Sequence, residues 1–203
     1  MTCTNPIATP MDLNNTSKLR KDTATVDRNN LYTQLLGKLQ YLANAMQPDI
    51  TYMVHKLSLY TANPTLEHYS ALKQILRYLK GTTIYDIIYK RQTYTQTPLI
   101  GYADSGFANT EEKKSMTGTY FLSAGGAVTW RLKKQSLSTL STTEAEYIAL
   151  SHVGADMRWL TNLYDKLWMT LKAPLPIYSD SLGTIAMIKQ PYQNQKTRHI
   201  DLK

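Results

Sequence analysis

Four acidic residues in this sequence could take part in binding divalent metal ions. Asp104 and Asp180 each end a short apolar stretch, and each is followed by a serine. Between them in the chain, Glu144 and Glu146 lie near the start of a long amphipathic stretch, and either could supply a third carboxylate. Two strand ends and one helix start can bring three carboxylates together, and hard cations such as Mg²⁺ prefer oxygen ligands. The pattern therefore predicts a site for a pair of divalent ions.

The chemistry that such a site supports is phosphodiester hydrolysis. Two Mg²⁺ ions about 4 Å apart can activate a water molecule and stabilise the departing 3′ oxygen. Each acid also has an ordinary structural interpretation: Asp104 could be a turn residue, Asp180 could cap a helix, and the two glutamates could suit the positive end of a helix dipole. The four histidines are His55, His68, His152 and His199, and none of them has metal-ligand spacing. A zinc site is therefore disfavoured.

A long helix and several short strands must position these acids. The helix is predicted within the stretch from Ser136 to Trp168, with a cap at Ser141, Thr142 or Thr143. Its predicted apolar side consists of Ile148, Val153, Met157, Leu160, Leu163, Tyr164 and Leu167. Strands are predicted at Thr83–Tyr89, Pro98–Asp104, Thr117–Ser123, Ala127–Lys133 and Leu175–Asp180. With a hairpin at Gly125-Gly126 and a short helix after the last strand, this order predicts an α/β domain.

Before this region, the sequence predicts a polar leader over residues 1–28 and then three helices. The first begins at Asn30 and stops before Pro48, which opens the second. Asn63-Pro64 is predicted to cap the third, which ends at Lys80. The predicted inward residues of the three helices are Leu31, Leu35, Leu39, Leu42 and Met46, then Ile50, Val54, Leu57 and Tyr60, then Leu72, Ile75, Leu76 and Leu79.

The composition indicates a folded, basic protein. Its 203 residues are 42% hydrophobic, and 23 Lys and Arg against 15 Asp and Glu give a formal charge of +8, which favours nucleic acid as a partner. Lys73, Arg77 and Lys80 form an outward row that could follow a phosphate backbone, although cations there also suit the helix C-terminus. A single cysteine rules out a disulfide framework. Without a long apolar run or a signal-peptide layout, we expect an intracellular protein, cytoplasmic or nuclear, with no membrane segment.

From Tyr32 to Lys203 the chain resembles the end of the reverse transcriptase and the following ribonuclease H domain of copia-type retrotransposon polyproteins. The resemblance rests on YTQLLGKLQYLANAMQPDITY, ALKQILRYLKGT, GYADSGFA, SMTGTY, TWRLKKQS, LSTTEAEYIAL, YSDSLGTIAM and KTRHIDLK, in this order. After the flexible leader (1–28) that the composition predicts, it implies a helical reverse transcriptase connection or thumb region (29–81) and a ribonuclease H-like domain with a mixed sheet (82–203). The family's polymerase aspartates would lie upstream, so no polymerase activity is expected.

The resemblance also implies which acids bind metal and act in catalysis: Asp104, Glu146 and Asp180. In this family the helix acid is commonly followed three residues later by an alanine, as Glu146 is by Ala149, whereas Glu144 is followed by Tyr147. The implied cofactor is a pair of Mg²⁺ ions, which Mn²⁺ can replace. The implied substrate is the RNA strand of an RNA–DNA hybrid, recognised by its shape and its 2′-hydroxyl groups. Lys133 and Lys134 could then hold phosphates, or they could lie on a solvated strand edge.

Two departures from the family pattern predict weakened activity. Gly106-Phe107 stands where the family usually has Asp-Trp, and a fourth aspartate is expected from a strand and helix beyond Lys203, so the domain is predicted to be incomplete at its C-terminus. Asp201 belongs to the His-Ile-Asp motif and is not assigned that role. A catalytically inactive, nucleic-acid-binding part of a retroelement polyprotein is the alternative, with other parts of the polyprotein as partners. An integrase is disfavoured because integrases place their glutamate last.

Overall fold

The computed structural model describes residues 5–11, 29–90, 99–106, 114–169, 171 and 173–189. The chain forms two compact units, Met1–Ile87 and Ile88–Lys203, the first helical and the second mixed α/β. Residues 91–97, Phe107 and the C-terminal residues 190–203 lie outside the described part of the chain. No helix within the described ranges is both long enough and apolar enough to span a membrane.

The first unit contains three α-helices: α1 (Asn29–Ala45), α2 (Thr51–Ser58) and α3 (Leu66–Gly81), with a 3₁₀ turn at Pro48–Ile50 leading into α2. The predicted inward residues of the second and third helices are largely confirmed, and the buried ones are Ile50, Val54, Leu57, Tyr60, Leu72 and Ile75. In α1 the prediction is partly confirmed, because Leu39 is buried and Leu35 and Leu42 are partly buried against the core. Leu31 and Met46 are exposed, and Tyr32, Leu36 and Ala43 take the other buried positions. Tyr32 enters the core because its hydroxyl donates a hydrogen bond to the Leu57 carbonyl.

The cap of α3 also differs from the prediction. Thr65, rather than Asn63-Pro64, is the N-cap, and its hydroxyl accepts a hydrogen bond from the His68 backbone N–H at 3.3 Å. The Nδ1 atom of His68 accepts in return from the Thr65 N–H at 3.0 Å, a role that Glu or Gln usually plays in this motif. Two apolar residues of the predicted leader, Ile7 and Met11, pack against the core of this unit.

The second unit is built on a four-stranded mixed sheet: β1 (Leu99–Gly106), β2 (Met116–Ser123), β3 (Gly126–Lys134) and β4 (Ile177–Tyr178), in the order β3-β2-β1-β4. The first three strands are antiparallel, and β4 runs parallel to β1. A long helix, α4 (Thr142–Lys166), connects β3 to β4, and α5 (Leu182–Lys189) follows. This arrangement confirms the expected mixed α/β class with a mixed sheet.

The predicted strand at Thr83–Tyr89 is wrong, because this segment has no strand structure. Ile84 and Ile88 are exposed, so the alternation of apolar and polar residues in this segment does not correspond to a buried and an exposed face. The segment instead reaches the β2–β3 turn, where the Tyr89 hydroxyl donates to the Ala127 carbonyl at 2.6 Å. The turn itself is formed by Ala124 and Gly125 rather than by Gly125-Gly126. Both of these residues have positive φ, which suits a two-residue hairpin.

One face of α4 packs against the sheet. Its buried residues follow helical spacing: Ala145, Glu146, Ala149, Val153, Met157 and Leu160. The predicted positions Val153, Met157 and Leu160 are therefore confirmed, whereas Leu163 and Leu167 are exposed. The helix approaches β1 closely at Gly101, where an added Cβ would lie 3.1 Å from Val153 and 3.2 Å from Met157.

This close approach predicts that Gly101→Ala destabilises the second unit. Overpacking of this kind costs about 1–3 kcal/mol, because neither the strand nor the helix can move away without losing other contacts. The matched control is Gly154→Ala, since a Cβ at Gly154 meets nothing within 4 Å. That variant should gain about 0.5–1 kcal/mol from higher helix propensity. Urea unfolding followed by tryptophan fluorescence measures both, because all three tryptophans lie in this unit. Equal effects of the two variants would contradict the packing argument.

Candidate metal centre

The register of the two parallel strands, β1 and β4, brings Asp104 and Asp180 to the same end of the sheet. Tyr102 pairs with Tyr178, and each aspartate lies two residues beyond its member of this pair. Asp104 is still within β1, whereas Asp180 lies two residues past the end of β4. The strand pairing therefore brings both aspartates to this end of the sheet, and the segment after β4 completes the position of Asp180.

The third acid comes from α4. Among the described residues, the acids that come together are Asp104, Glu146 and Asp180, each with a carboxylate oxygen within 4.8 Å of the others. Glu146 is buried, with 8% of its surface exposed, whereas the two aspartates are exposed. Its Oε1 atom accepts a hydrogen bond from the Ser105 backbone N–H at 3.2 Å. Its Oε2 atom is buried and has no hydrogen-bond partner within the described part of the protein.

Glu144 has a different role, although it is only two residues away. Its Oε2 atom accepts a hydrogen bond from the Leu140 N–H at 2.6 Å, and its own N–H donates to the Ser141 hydroxyl at 3.2 Å. Ser141 is the N-cap of α4, so Glu144 belongs to the cap of the helix. The ordinary interpretation of an acid near a helix start thus applies to Glu144.

The ordinary interpretations of the two aspartates do not match the structure. Ser181, not Asp180, caps α5, because its hydroxyl accepts a hydrogen bond from the Thr184 N–H at 3.3 Å. Asp104 lies within β1 rather than in a turn. The structural roles expected at these positions are therefore filled by neighbouring residues.

Electrostatics set Glu146 apart from an ordinary surface glutamate. Burial is the main cause that raises its pKa, and the negative charges of Asp104 and Asp180 raise it further. Hydrogen bonding from Ser105 acts in the opposite direction and lowers the pKa, but it does not cancel the effect of burial. The ionised site is therefore a cluster of three negative charges in which one carboxylate has lost much of its hydration.

These properties fit a hard divalent cation. All the converging ligand atoms are carboxylate oxygens, which suit Mg²⁺ or Mn²⁺, and no histidine joins this group within the described residues. The buried Oε2 atom of Glu146 offers a lone pair that no described protein group uses. A cation would both satisfy this atom and offset the repulsion among the three carboxylates. Asp104, Glu146 and Asp180 could therefore hold one or two such ions.

The basic residues predicted to bind nucleic acid fall into two groups. Lys133 and Lys134 end β3, and Lys133 belongs to the cross-strand row that contains Thr117 and Ser105. Two strand spacings separate Lys133 from Ser105, or about 10 Å between Cα atoms, so Lys133 lies at the same end of the sheet as the acids, on the face of Ser105 rather than that of Asp104. The second group consists of Lys73, Arg77 and Lys80, which are on α3 in the helical unit.

Within that second group the three side chains differ in their surroundings. The Lys73 ammonium lies 5.2 Å from the centre of the Tyr69 ring. The Arg77 guanidinium donates a hydrogen bond to the Asn5 carbonyl at 2.8 Å, so part of its donor capacity is used within the protein. Lys73 and Lys80 are exposed.

Sequence reasoning missed the contribution of Ser105. Its backbone N–H holds Glu146 in place, and the corresponding serine after the other aspartate, Ser181, caps α5. The repeated Asp-Ser pair was a visible signal, but it did not reveal that the two serines perform different tasks.

Comparison with known proteins gives a consistent picture. No family model matches the chain. It is 35% identical over 98% of its length to the retrovirus-related Pol polyprotein from transposon TNT 1-94 of Nicotiana tabacum. The Pol polyproteins of this kind are far longer, and the chain spans only 13% to 15% of the first three that it matches.

Two further similarities are more limited. The chain is 38% identical to secreted RxLR effector protein 161 of Plasmopara viticola, over 64% of this chain and 91% of that protein. Among solved structures, foamy viral protease-reverse transcriptase in complex with RNA/DNA hybrid overlaps 91% of this chain and 24% of its own. The TM-score of 0.40 and the identity of 14% are too low for that likeness to carry an argument.

The different roles of the two glutamates predict opposite effects on stability in the absence of metal. Glu146→Gln keeps an acceptor for the Ser105 N–H and removes a buried charge, so the melting temperature at pH 7 should rise by about 4 °C, the shift that roughly 1 kcal/mol produces in a domain of about 100 residues. Glu144→Gln weakens the helix cap and should lower the melting temperature by about 2 °C.

The effect of Glu146→Gln should also depend on pH. Because the pKa of Glu146 is raised in the folded protein, its ionisation destabilises the fold increasingly as the pH rises from the ordinary pKa of a glutamate through the raised one. The advantage of the variant should therefore be larger at pH 7 than at about pH 4, near that ordinary pKa. Thermal unfolding with a chelator present, recorded by tryptophan fluorescence at several pH values, measures this. A lower melting temperature for Glu146→Gln at pH 7 would contradict the assignment.

Proposed function

Because this chain belongs to the family of copia-type retrotransposon Pol polyproteins, we propose that its second unit is a divalent-metal-dependent ribonuclease H. The proposed reaction is the endonucleolytic hydrolysis of the RNA strand of an RNA–DNA hybrid. The observation that supports this most directly is the convergence of Asp104, Glu146 and Asp180 within 4.8 Å, at positions where neighbouring residues already fill the ordinary structural roles.

The three carboxylates would hold Mg²⁺, or Mn²⁺ in its place. When bound, such ions supply the positive charge that activates a water molecule and stabilises the departing 3′ oxygen. The chain itself orients the ligands: strand pairing fixes the two aspartates, and the Ser105 N–H fixes Oε1 of Glu146. Because the pKa of Glu146 is raised, its carboxyl group loses its proton at a higher pH than an exposed glutamate. On acidification, metal affinity should therefore begin to fall at a higher pH than it would at a site made of exposed carboxylates.

The proposed substrate contact in this unit is the end of β3. Lys133 is exposed at the end of the sheet where Asp104 lies, with its Cα atom about 10 Å from that of Ser105, so it could contact phosphates of a strand that extends past the metal centre. Lys134 is the second proposed phosphate contact. For the helical unit we propose a role as the reverse transcriptase connection, with Lys73 and Lys80 as its exposed cations towards nucleic acid. The proposed setting is inside the cell, with other parts of the Pol polyprotein as partners.

Cleavage should depend on all three acids. Asp104→Asn, Glu146→Gln and Asp180→Asn each remove a charged ligand while keeping the side-chain shape. Each should lower the cleavage rate of a labelled RNA–DNA hybrid in Mg²⁺ at least about 100-fold, because loss of a metal ligand removes several kcal/mol of transition-state stabilisation. Glu144→Gln is the matched control and should retain most activity at a temperature where it is folded. If the wild-type chain binds the hybrid but cleaves nothing with either ion, the inactive nucleic-acid-binding protein becomes the better description.

Hybrid binding should depend on Lys133. Lys133→Glu should weaken affinity and should reduce the magnitude of the slope of log K against log salt concentration by about one. The slope falls because the variant makes one phosphate contact fewer and so releases one counterion fewer on binding. Lys166→Glu is the matched control in the same unit. Lys166 lies twenty residues beyond Glu146 on α4, or about 30 Å along the helix. Fluorescence anisotropy of a labelled hybrid at several salt concentrations measures both variants, and equal losses would refute the proposed contact.

A further inference from the structure

Gln135 connects the sheet to the start of α4. This side chain follows β3 directly and is buried, with 2% of its surface exposed. Its Nε2 group donates one hydrogen bond to the Thr117 hydroxyl at 2.9 Å and another to the Ala145 carbonyl at 3.0 Å. Thr117 is on β2 and pairs with Ser105, the residue whose N–H binds Glu146. Gln135 thus ties the residue before Glu146 to the strands that carry Asp104.

Thr184 makes the corresponding connection from α5. It is fully buried, and its hydroxyl donates a hydrogen bond to the Thr143 carbonyl in the first turn of α4 at 3.2 Å. The same hydroxyl lies 2.8 Å from that of Ser181, the residue that follows Asp180. The helix-to-helix approach is close, since a Cβ on Gly183 would lie 3.3 Å from the Thr143 side chain. Thr184 therefore ties the start of α4 to the segment that carries Asp180.

The two side chains hold α4 from nearly opposite sides. Thr143 and Ala145 are two residues apart, which corresponds to a rotation of about 200° around a helix with 3.6 residues per turn. Both carbonyls lie just before Glu146, three residues and one residue away. Apolar packing alone permits small sliding and rotation of a helix on a sheet, and the buried side chains nearest Glu146 are the small Ala145 and Ala149. The two directional hydrogen bonds restrict both the sliding and the rotation of α4 at this end of the helix.

We propose that Gln135 and Thr184 are positioning residues of the metal centre, which set the distance of Glu146 from Asp104 on one side and from Asp180 on the other. This inference rests on the proposed function, because it concerns the same site. The sheet can place the two aspartates by strand pairing, but Glu146 comes from a separate element. Burying an amide and a hydroxyl carries a desolvation penalty that an apolar pair would avoid, and geometric control of Glu146 accounts for their presence.

The test measures metal affinity rather than cleavage. Gln135→Met and Thr184→Val keep the approximate size of each side chain and remove its donor. Mn²⁺ binding, followed by the electron paramagnetic resonance signal of the free ion at a temperature where each variant is folded, should weaken about tenfold in each case. Thr184→Ser retains the hydroxyl and should restore most of the affinity. If Gln135→Met does not fold, Thr117→Val replaces it, since it loosens the amide from β2 and should weaken binding about threefold.

A matched control separates positioning from general stability. Ser115 and Thr139 form another buried hydroxyl pair, 2.9 Å apart. Thr139→Val should lower the melting temperature but leave Mn²⁺ affinity unchanged. In a Glu146→Gln background, Thr184→Val should change Mn²⁺ affinity less than about twofold, because the ligand that it positions has been altered.

Several outcomes would overturn the proposal: wild-type affinity in the Gln135 and Thr184 variants, an equal loss in Thr139→Val, a full tenfold loss in the Glu146→Gln background, or no Mn²⁺ binding by the wild type. Its failure is distinguishable from that of the proposed function. A wild-type chain that binds Mn²⁺ but does not cleave the hybrid would refute the ribonuclease activity, while the affinities of the variants would still decide the positioning roles.

Discussion

The second unit must hold three carboxylates within 4.8 Å of one another, although like charges repel and a buried carboxylate loses its hydration. Nothing in that cluster favours its own formation in the absence of a cation. The surrounding structure must therefore supply the energy, through the β1–β4 pairing, the packing of α4 at Gly101 and the hydrogen bonds at the start of α4. The fold brings the three carboxylates together, and their mutual repulsion in turn lowers the stability of the fold. Such a cost in stability is a common property of functional sites.

Chemically similar residues close together in the chain take on separate tasks here. Glu144 and Glu146 differ by 200° around the helix, so one reaches the N-cap while the other faces the sheet. Asp180 and Ser181 are adjacent, yet the serine caps α5 and leaves the aspartate available. The division matters because a carboxylate that caps a helix has its oxygen occupied by backbone N–H groups. Glu146 accepts one hydrogen bond at Oε1 but keeps Oε2 without a partner among the described residues, so that oxygen could serve as a metal ligand.

Much of the fold and of the candidate site could be predicted from the sequence, because periodicity and turn residues report on local structure. The long helix, three of the strands and the inward positions Val54, Leu57 and Leu72 follow directly from such patterns. The burial of Tyr32 in α1 could not be predicted, since its hydroxyl donates to a buried carbonyl 25 residues away. The contacts of Gln135 and Thr184 could not be predicted for the same reason. A long-range polar contact leaves no periodic pattern in the sequence, and its partners come together only in the folded chain.

The charge distribution links the proposed metal and substrate physically. The chain carries a net charge of +8, but the proposed reaction centre is a local concentration of negative charge that a phosphate backbone would avoid. Lys133, exposed at the same end of the sheet, offsets part of that repulsion, although salt partly screens its effect. A bound divalent ion would reverse the local sign. By thermodynamic linkage, an ion that favours the approach of the hybrid must itself be bound more tightly when the hybrid is present, so the strongly acidic centre makes each ligand depend on the other.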